Sequence, residues 1–76
     1  MLRAYVLIQT KAGSGAVAKE VATIEGVISA VAVTGPYDVI GLAEAADISA
    51  LKRDVLSRIQ AVQGVTRTVT CPAVHF

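Results

Sequence analysis

The chain has 76 residues, seven basic and six acidic side chains, a net charge of +1 and a hydrophobic fraction of 54%. This length predicts one small domain over residues 1–76, and the scattered basic residues do not form the concentrated positive surface that direct DNA binding requires. Charged residues interrupt every apolar run, so no segment approaches the roughly 18 residues of a membrane span, and the N-terminus has no signal-peptide pattern. The composition therefore predicts a cytoplasmic protein without membrane contact. A single cysteine excludes an internal disulfide and a cysteine metal cluster.

The first elements along the chain are a strand and a helix. Residues 2–10 are rich in β-branched and apolar types and predict a strand. Ser14 is a candidate N-cap for a helix over residues 15–24, and Gly26 lies where a helix ends. The apolar residues of this helix recur at a spacing that places them on one face: Val17, Val21 and Ile24.

Two further strands follow, over residues 27–34 and 37–45, joined by a short turn at Gly35-Pro36. Strict alternation along the second strand puts two sets of apolar residues on opposite faces. One set is Val27, Val31 and Val33, and the other is Ile28, Ala30 and Ala32.

The last elements are a second helix and a fourth strand. Asp47 is the expected N-cap of a helix over residues 48–62, which Gly64 ends, and a strand follows over residues 65–74. Pro72 places the end of that strand at a sheet edge. The apolar residues of the helix step by three and four: Ile48, Leu51, Val55, Ile59 and Val62.

The element order βαββαβ predicts a ferredoxin-like α+β sandwich, with a four-stranded antiparallel sheet and two helices on one face. An internal sequence repeat supports this prediction, because the stretch at residues 21–31 aligns with the stretch at 59–69. The strands are apolar on both faces, although helices cover only one. Since a wet sheet face alternates apolar with polar residues, we expect a second subunit to cover the other face.

The turn between the second and third strands contains the candidate functional residues. Asp38 leads into an apolar strand, where Asp is disfavoured, which indicates either a functional carboxylate or an edge charge paired with Arg3 or Arg67. Tyr37 is either an interface aromatic or a core residue, and Gly35 supplies a backbone angle that other residues avoid. In the last strand, Thr66, Thr68 and Thr70 are predicted to share one face, as cavity lining or as ordinary exposed strand residues.

These residues also carry a family resemblance. The stretches "AYVLIQT" at 4–10, "VTGPYD" at 33–38 and "GVTRTVT" at 64–70 resemble the effector-binding, or RAM, domain of the Lrp/AsnC transcription regulators. The resemblance covers essentially the whole chain. Regulators of that family carry an N-terminal helix-turn-helix domain, whereas this sequence begins at the first strand, so we expect a stand-alone RAM protein without the family's DNA-binding activity.

The resemblance implies how the protein assembles and what it binds. Two domains of that family pair sheet to sheet as a dimeric α+β barrel, and the dimers join further, here into an octamer or a decamer. Amino acids or related effectors bind at contacts between dimers, largely through the turn between the second and third strands. The resemblance implies ligand contacts at Thr34, Gly35, Tyr37 and Asp38, with a weaker expectation for Ala32, Ile48 and Thr68.

The leading interpretation is a non-enzymatic amino-acid-binding oligomer, without a cofactor or metal, that modulates a full-length Lrp/AsnC regulator. One alternative is a dimeric α+β barrel enzyme, resembling a monooxygenase, whose polar groups would come from Tyr5, Tyr37, His75 and the threonines. Another is a structural partner protein with an empty site. The residues alone show no nucleophile–base pair and no metal-ligand spacing.

Overall fold

The computed structural model describes residues 1–73. The predicted end of the fourth strand at Val74 and the candidate polar group of His75 therefore lie outside the described residues. The strands are β1 (Leu2–Thr10), β2 (Val27–Ala32), β3 (Val39–Ala45) and β4 (Val65–Pro72). The first helix, α1, is Ser14–Ala22. The second helix, α2, spans residues 48–60 and has an α-helical turn, a π-helical segment (Leu51–Leu56) and a final α-helical turn.

The fold is the predicted ferredoxin-like α+β sandwich. The strand order is β2-β3-β1-β4, and every neighbouring pair is antiparallel. Both helices cover one face, where alternate residues of β1 and β3 meet the apolar sides of the helices. The strand residues that are buried there are Ala4, Val6, Ile8, Val39 and Ala43, and the helix residues are Val17, Ala18, Val21, Leu51, Val55, Leu56 and Ile59.

The two helices begin differently. Asp47 is the N-cap of α2, as predicted, because its Oδ1 accepts the Ala50 N–H at 2.8 Å. The predicted cap of α1 is wrong, since Ser14 is already helical. Gly13 occupies the cap position with φ 71° and offers no side-chain hydrogen bond.

The π-helical segment changes which residues of α2 reach the core. A π turn holds one residue more than an α turn, so Val55 and its neighbour Leu56 are both buried. The regular spacing had left Leu56 out. It had also included Ile48, which is 39% exposed at the start of the helix. The predicted core residues Leu51, Val55 and Ile59 are confirmed.

A β-bulge in β2 overturns the predicted alternation of that strand. Val27 pairs with Ala43 and Ser29 with Leu42, so one extra residue is inserted between them. After the bulge, Ala30 and Ala32 lie on the helix side with Val27, whereas Val31 pairs with Ile40 on the opposite side.

A second irregularity separates the threonines of β4. The register shifts between Gln9 and Thr10, and Thr66 is the extra residue. Thr68 and Thr70 pair with the buried residues Ile8 and Val6, so these two lie on the helix side. The prediction that all three threonines share one face is therefore wrong for Thr66, whose hydroxyl donates to the Gln9 carbonyl at 3.2 Å.

The face of the sheet away from the helices is apolar and uncovered within the chain. We call it the open face. Tyr5 is 50% exposed and Val31 is 56% exposed. Its apolar residues, from register, are Tyr5, Leu7, Val31, Ile40, Leu42 and Val69. In residues 1–73, neither helix has the length and apolar character needed to cross a membrane.

Candidate functional site

The candidate site is the turn between β2 and β3, residues 33–38, which four hydrogen bonds hold in place. The Val33 N–H donates to the Asp38 carbonyl at 2.8 Å and closes the turn on itself. The other three bonds join the turn to the end of β1, at three consecutive residues of that strand. The turn is therefore attached to a central strand of the sheet, although its middle, residues 34–36, is exposed.

Asp38 makes two of these bonds to β1. Its N–H donates to the Ile8 carbonyl at 2.9 Å. Its Oδ2 accepts the N–H of Thr10, also at 2.9 Å. Asp38 is thus the last residue to continue the β1–β3 pairing, and its side chain satisfies a backbone donor that β3 no longer reaches.

The Asp38 carboxylate has no cationic partner among residues 1–73. Arg3, one of the two arginines expected as partners, instead pairs with Glu44, with Nε and Oε2 3.0 Å apart. Arg67 makes no ion pair within the described chain. The hydrogen bond from Thr10 uses Asp38 Oδ2, and Oδ1 accepts none from residues 1–73. Oδ1 is therefore available to a donor from outside the chain.

The neighbouring turn residues present backbone and aromatic groups. Gly35 has φ 142°, which side chains disfavour, as the sequence predicted. Thr34 and Gly35 are exposed, and Tyr37 is half-buried. Within residues 1–73, the backbone N–H groups of Thr34, Gly35 and Tyr37 donate to no acceptor. These donors lie within a few residues of the Asp38 carboxylate, so the turn offers donors and an anionic acceptor together.

The three weaker candidates are not all near the turn. Ala32 ends β2 next to it and pairs with Val39. Thr68 lies on the helix side of the sheet, where its hydroxyl accepts from Gln60 Nε2 at 3.2 Å. Ile48 follows the far end of β3, a strand of seven residues, so roughly 20 Å of strand separates it from the turn. One chain therefore does not bring Ile48 to the turn.

A single chain does not enclose the turn. Two surface grooves, of about 570 and 450 Å³, lie along the helices, and neither is lined by a residue of the turn. The first runs between the helices past Ala16 and Ala61, and the second lies beside Glu44 and Asp54. Among residues 1–73, no group of three or more histidine, cysteine or acidic side chains is placed to hold a metal ion.

The resolved shifts in pKa lie on α2, away from the turn. The hydrogen bond from Arg53 holds the pKa of Asp54 below its ordinary value, and the same bond raises the pKa of Arg53. Both side chains are exposed and adjacent in sequence, with Nε and Oδ1 3.0 Å apart. Such a pair contributes little to stability.

A family model, the Lrp/AsnC ligand binding domain, matches residues 3–75. The chain belongs to this family. No curated protein matches the sequence significantly. The Lrp/AsnC domain also resembles several solved structures along its whole length. It superposes on TTHA0845 from Thermus thermophilus with a TM-score of 0.89 and 32% identity, covering 100% of this chain and 96% of that one.

Two other solved structures resemble this chain, one of similar length and one about twice as long. The hypothetical protein PHS023 from Pyrococcus horikoshii has a TM-score of 0.86 and 26% identity, with 100% of this chain and 93% of that chain covered. The feast or famine regulatory protein Rv3291c from M. tuberculosis, solved in complex with L-methionine, has a TM-score of 0.83 and 28% identity. The Lrp/AsnC domain described here covers only 52% of that regulator, and the regulator covers 100% of this chain.

The structure adds two residues of the Lrp/AsnC domain to the candidate site that sequence reasoning missed. Thr10 contributes its backbone N–H to Asp38, and Gln9 Nε2 donates to the Pro36 carbonyl at 3.1 Å. A backbone donor has no sequence signal. Gln9 had one, because it is a polar residue at the end of a strand that is otherwise largely apolar.

Proposed function

We propose that this Lrp/AsnC domain binds an amino acid as a regulatory effector and is not an enzyme. The observation that carries the proposal is the Asp38 carboxylate. One of its oxygens is held by the Thr10 N–H, and no cation of residues 1–73 neutralises it. A fixed, unneutralised carboxylate on an exposed turn favours an ammonium group. Membership of a ligand-binding family and the L-methionine complex of Rv3291c support the same class of ligand.

The turn has groups for each part of an amino acid. Asp38 Oδ1 accepts from the ammonium group, and the N–H groups of Thr34 and Gly35 donate to the carboxylate. Tyr37 packs its ring against the ligand side chain. Ala32 and Thr68 extend the wall of the site. Ile48 joins the site of a neighbouring subunit, because the turn at residues 33–38 of its own chain is too distant.

The site is completed by assembly. Two copies pair through the open face, whose large apolar residues would otherwise stay exposed to water. Dimers then join near their turns into an octamer or a decamer, which encloses a ligand that a single chain leaves uncovered. In the cytoplasm, this oligomer modulates a full-length Lrp/AsnC regulator by co-assembling with it, and does not itself bind DNA.

The test is a thermal-shift screen of the purified protein against the twenty proteinogenic L-amino acids at millimolar concentration. A ligand that binds only the folded protein stabilises it by about 2.7 kcal/mol at a hundredfold excess over its Kd. We expect one chemical group of amino acids to raise the Tm selectively.

Two variants separate the ligand role of Asp38 from its structural role. Asp38→Asn keeps an oxygen for the Thr10 N–H but removes the negative charge, so we expect an unchanged Tm without ligand and no shift with ligand. Asp38→Ala also removes the bond to Thr10 and should lower the Tm of the unliganded protein. A ligand shift that survives in Asp38→Asn contradicts the assigned role. Wild-type protein that responds to no amino acid contradicts the amino-acid proposal and favours a structural partner with an empty site.

A further inference from the structure

The end of β1 holds the candidate turn through three consecutive residues. The Ile8 carbonyl and the Thr10 N–H both bond to Asp38, each at 2.9 Å. Between them, Gln9 Nε2 donates to the Pro36 carbonyl at 3.1 Å. Of the three groups that β1 contributes, only the Gln9 amide is a side chain. It is therefore the one attachment of the turn that a substitution in β1 can remove without changing the backbone of that strand.

Gln9 reaches the turn from the open side of the sheet. It pairs with Arg67 on β4, in the alternating set of β1 residues that lies away from the buried Ile8. Its side chain extends in the other direction, across β1 toward Pro36, over 27 positions of sequence. The contact thus joins the middle of the turn to a central strand, whereas the Asp38 bonds hold only the end of the turn.

The bond to Pro36 also orients the next backbone donor. Carbonyl and N–H groups of a trans peptide point in opposite directions, and the described chain has no cis peptide bond. With the Pro36 carbonyl directed at Gln9, the Tyr37 N–H is directed away from it. That N–H has no acceptor within residues 1–73. Gln9 therefore fixes an unused donor close to the Asp38 carboxylate.

Gly35 makes this attachment necessary. Its φ is 142°, and no atom from elsewhere in the described chain lies within 4 Å of the place that a Cβ would occupy, so the space beside its Cα is open. Glycine has more backbone freedom than any other residue. Without the Gln9 bond, hydrogen bonds would hold the segment between Val33 and Asp38 only at its two ends.

We propose that Gln9 is a positioning residue of the effector site, which holds the turn at residues 34–37 in the shape that binds the ligand. This inference rests on the proposed function. A turn that is already ordered loses less conformational entropy when the ligand binds, so affinity is higher. Loss of one neutral hydrogen bond of this kind corresponds to a roughly three- to tenfold weaker Kd.

The experiment compares Gln9→Met with Thr23→Val, and each substitution removes one hydrogen-bond donor while nearly keeping the shape of the side chain. Methionine has nearly the shape of glutamine but no amide. Thr23 is a matched control, because its exposed hydroxyl also donates to a backbone carbonyl, that of Glu20 at 2.7 Å, at the end of α1 and away from the turn. The probe is the L-amino acid that gives the largest thermal shift with wild-type protein, and its Kd is measured by calorimetry.

We expect Gln9→Met to bind this amino acid roughly three- to tenfold more weakly, while Thr23→Val binds as wild type does and both unliganded variants keep the wild-type Tm. Equal affinity of Gln9→Met and wild type overturns the inference while leaving the proposed function intact. A lowered Tm with unchanged affinity also overturns it, since Gln9 would then have only a structural role.

A second measurement does not depend on the ligand. Hydrogen exchange in the unliganded protein reports whether the turn opens. We expect the hydrogen-bonded amides that hold the ends of the turn, those of Val33, Asp38 and Thr10, to exchange faster in Gln9→Met than in Thr23→Val. Identical exchange in the two variants overturns the inference even if no amino acid binds. Absence of any amino-acid binding by wild-type protein, with faster exchange in Gln9→Met, instead contradicts the proposed function and limits Gln9 to ordering the turn.

Discussion

At the residue scale, two glycines occupy equivalent positions in the two halves of the domain. Gly26 follows α1 and Gly64 follows α2, and both have φ 98°. The carbonyl of each accepts a backbone N–H at the junction of a strand and a helix, from Glu44 at 2.8 Å and from Lys11 at 2.9 Å. The sequence repeat between the two halves is therefore also a structural repeat, and the glycine that follows each helix has the same backbone conformation in both halves.

Their surroundings differ, which allows a matched prediction. A Cβ added at Gly26 would lie 2.7 Å from Val55 Cγ2, whereas one added at Gly64 would lie 3.4 Å from Val17 Cγ2. Both Gly→Ala changes carry the cost of a left-handed backbone, about 1–2 kcal/mol, and Gly26→Ala adds overpacking of about 1–3 kcal/mol. Urea denaturation should find Gly26→Ala the less stable variant. Equal midpoints would mean that Val55 moves aside freely.

At the scale of elements, the starts of the two helices are held by different means. The first turn of α2 has a side-chain cap, and the first turn of α1 begins at a glycine in the left-handed region. A side chain that accepts a hydrogen bond from the first turn contributes typically about 1 kcal/mol. Only α2 has that contribution.

Paired alanine substitutions test this difference. Asp47→Ala removes the acceptor of the Ala50 N–H and should lower the free energy of unfolding by about 1 kcal/mol. Ser14→Ala removes no cap bond and should change it by less than about 0.5 kcal/mol. Chemical denaturation of both variants at one protein concentration gives the comparison, and a larger loss in Ser14→Ala would contradict the structural assignment.

At the scale of the whole molecule, the open face requires an explanation that one chain does not provide. Tyr5 and Val31 on this face are each at least 50% exposed, on a domain with only 76 residues. Small domains bury a limited share of their surface and are marginally stable alone. Covering this face with a second copy would therefore add to the stability of the fold as well as complete the assembly.

Self-association can be tested with one charge on each side of the domain. Val31→Lys places an ammonium group on the open face and should weaken the proposed dimer by about tenfold or more, because a buried unpaired charge is costly. Ala22→Lys places the same group at the exposed end of α1 and should leave the assembly unchanged. Sedimentation velocity over a range of concentrations measures both, and an unaltered oligomer in Val31→Lys would contradict pairing through the open face.

The elements and the fold class followed from the sequence because their signals are local. Alternation in β1, the three- and four-residue spacing in α1, the capping aspartate and the two helix-ending glycines each depend on neighbouring residues only. The order of those elements then restricts the topology to a few arrangements. The turn at Gly35 and the family were predicted for the same reason, since both depend on a short contiguous stretch.

The tertiary structure decided the features that depend on pairing between distant segments. The bulges in β2 and β4 moved Ala30, Ala32 and Thr66 to positions that strict alternation did not predict, because register is set by the partner strand. The partner of Asp38 is a backbone amide 28 positions away, and that of Gln9 is a carbonyl 27 positions away. Backbone groups are the same at every residue, so only the folded chain determines which of them these side chains meet.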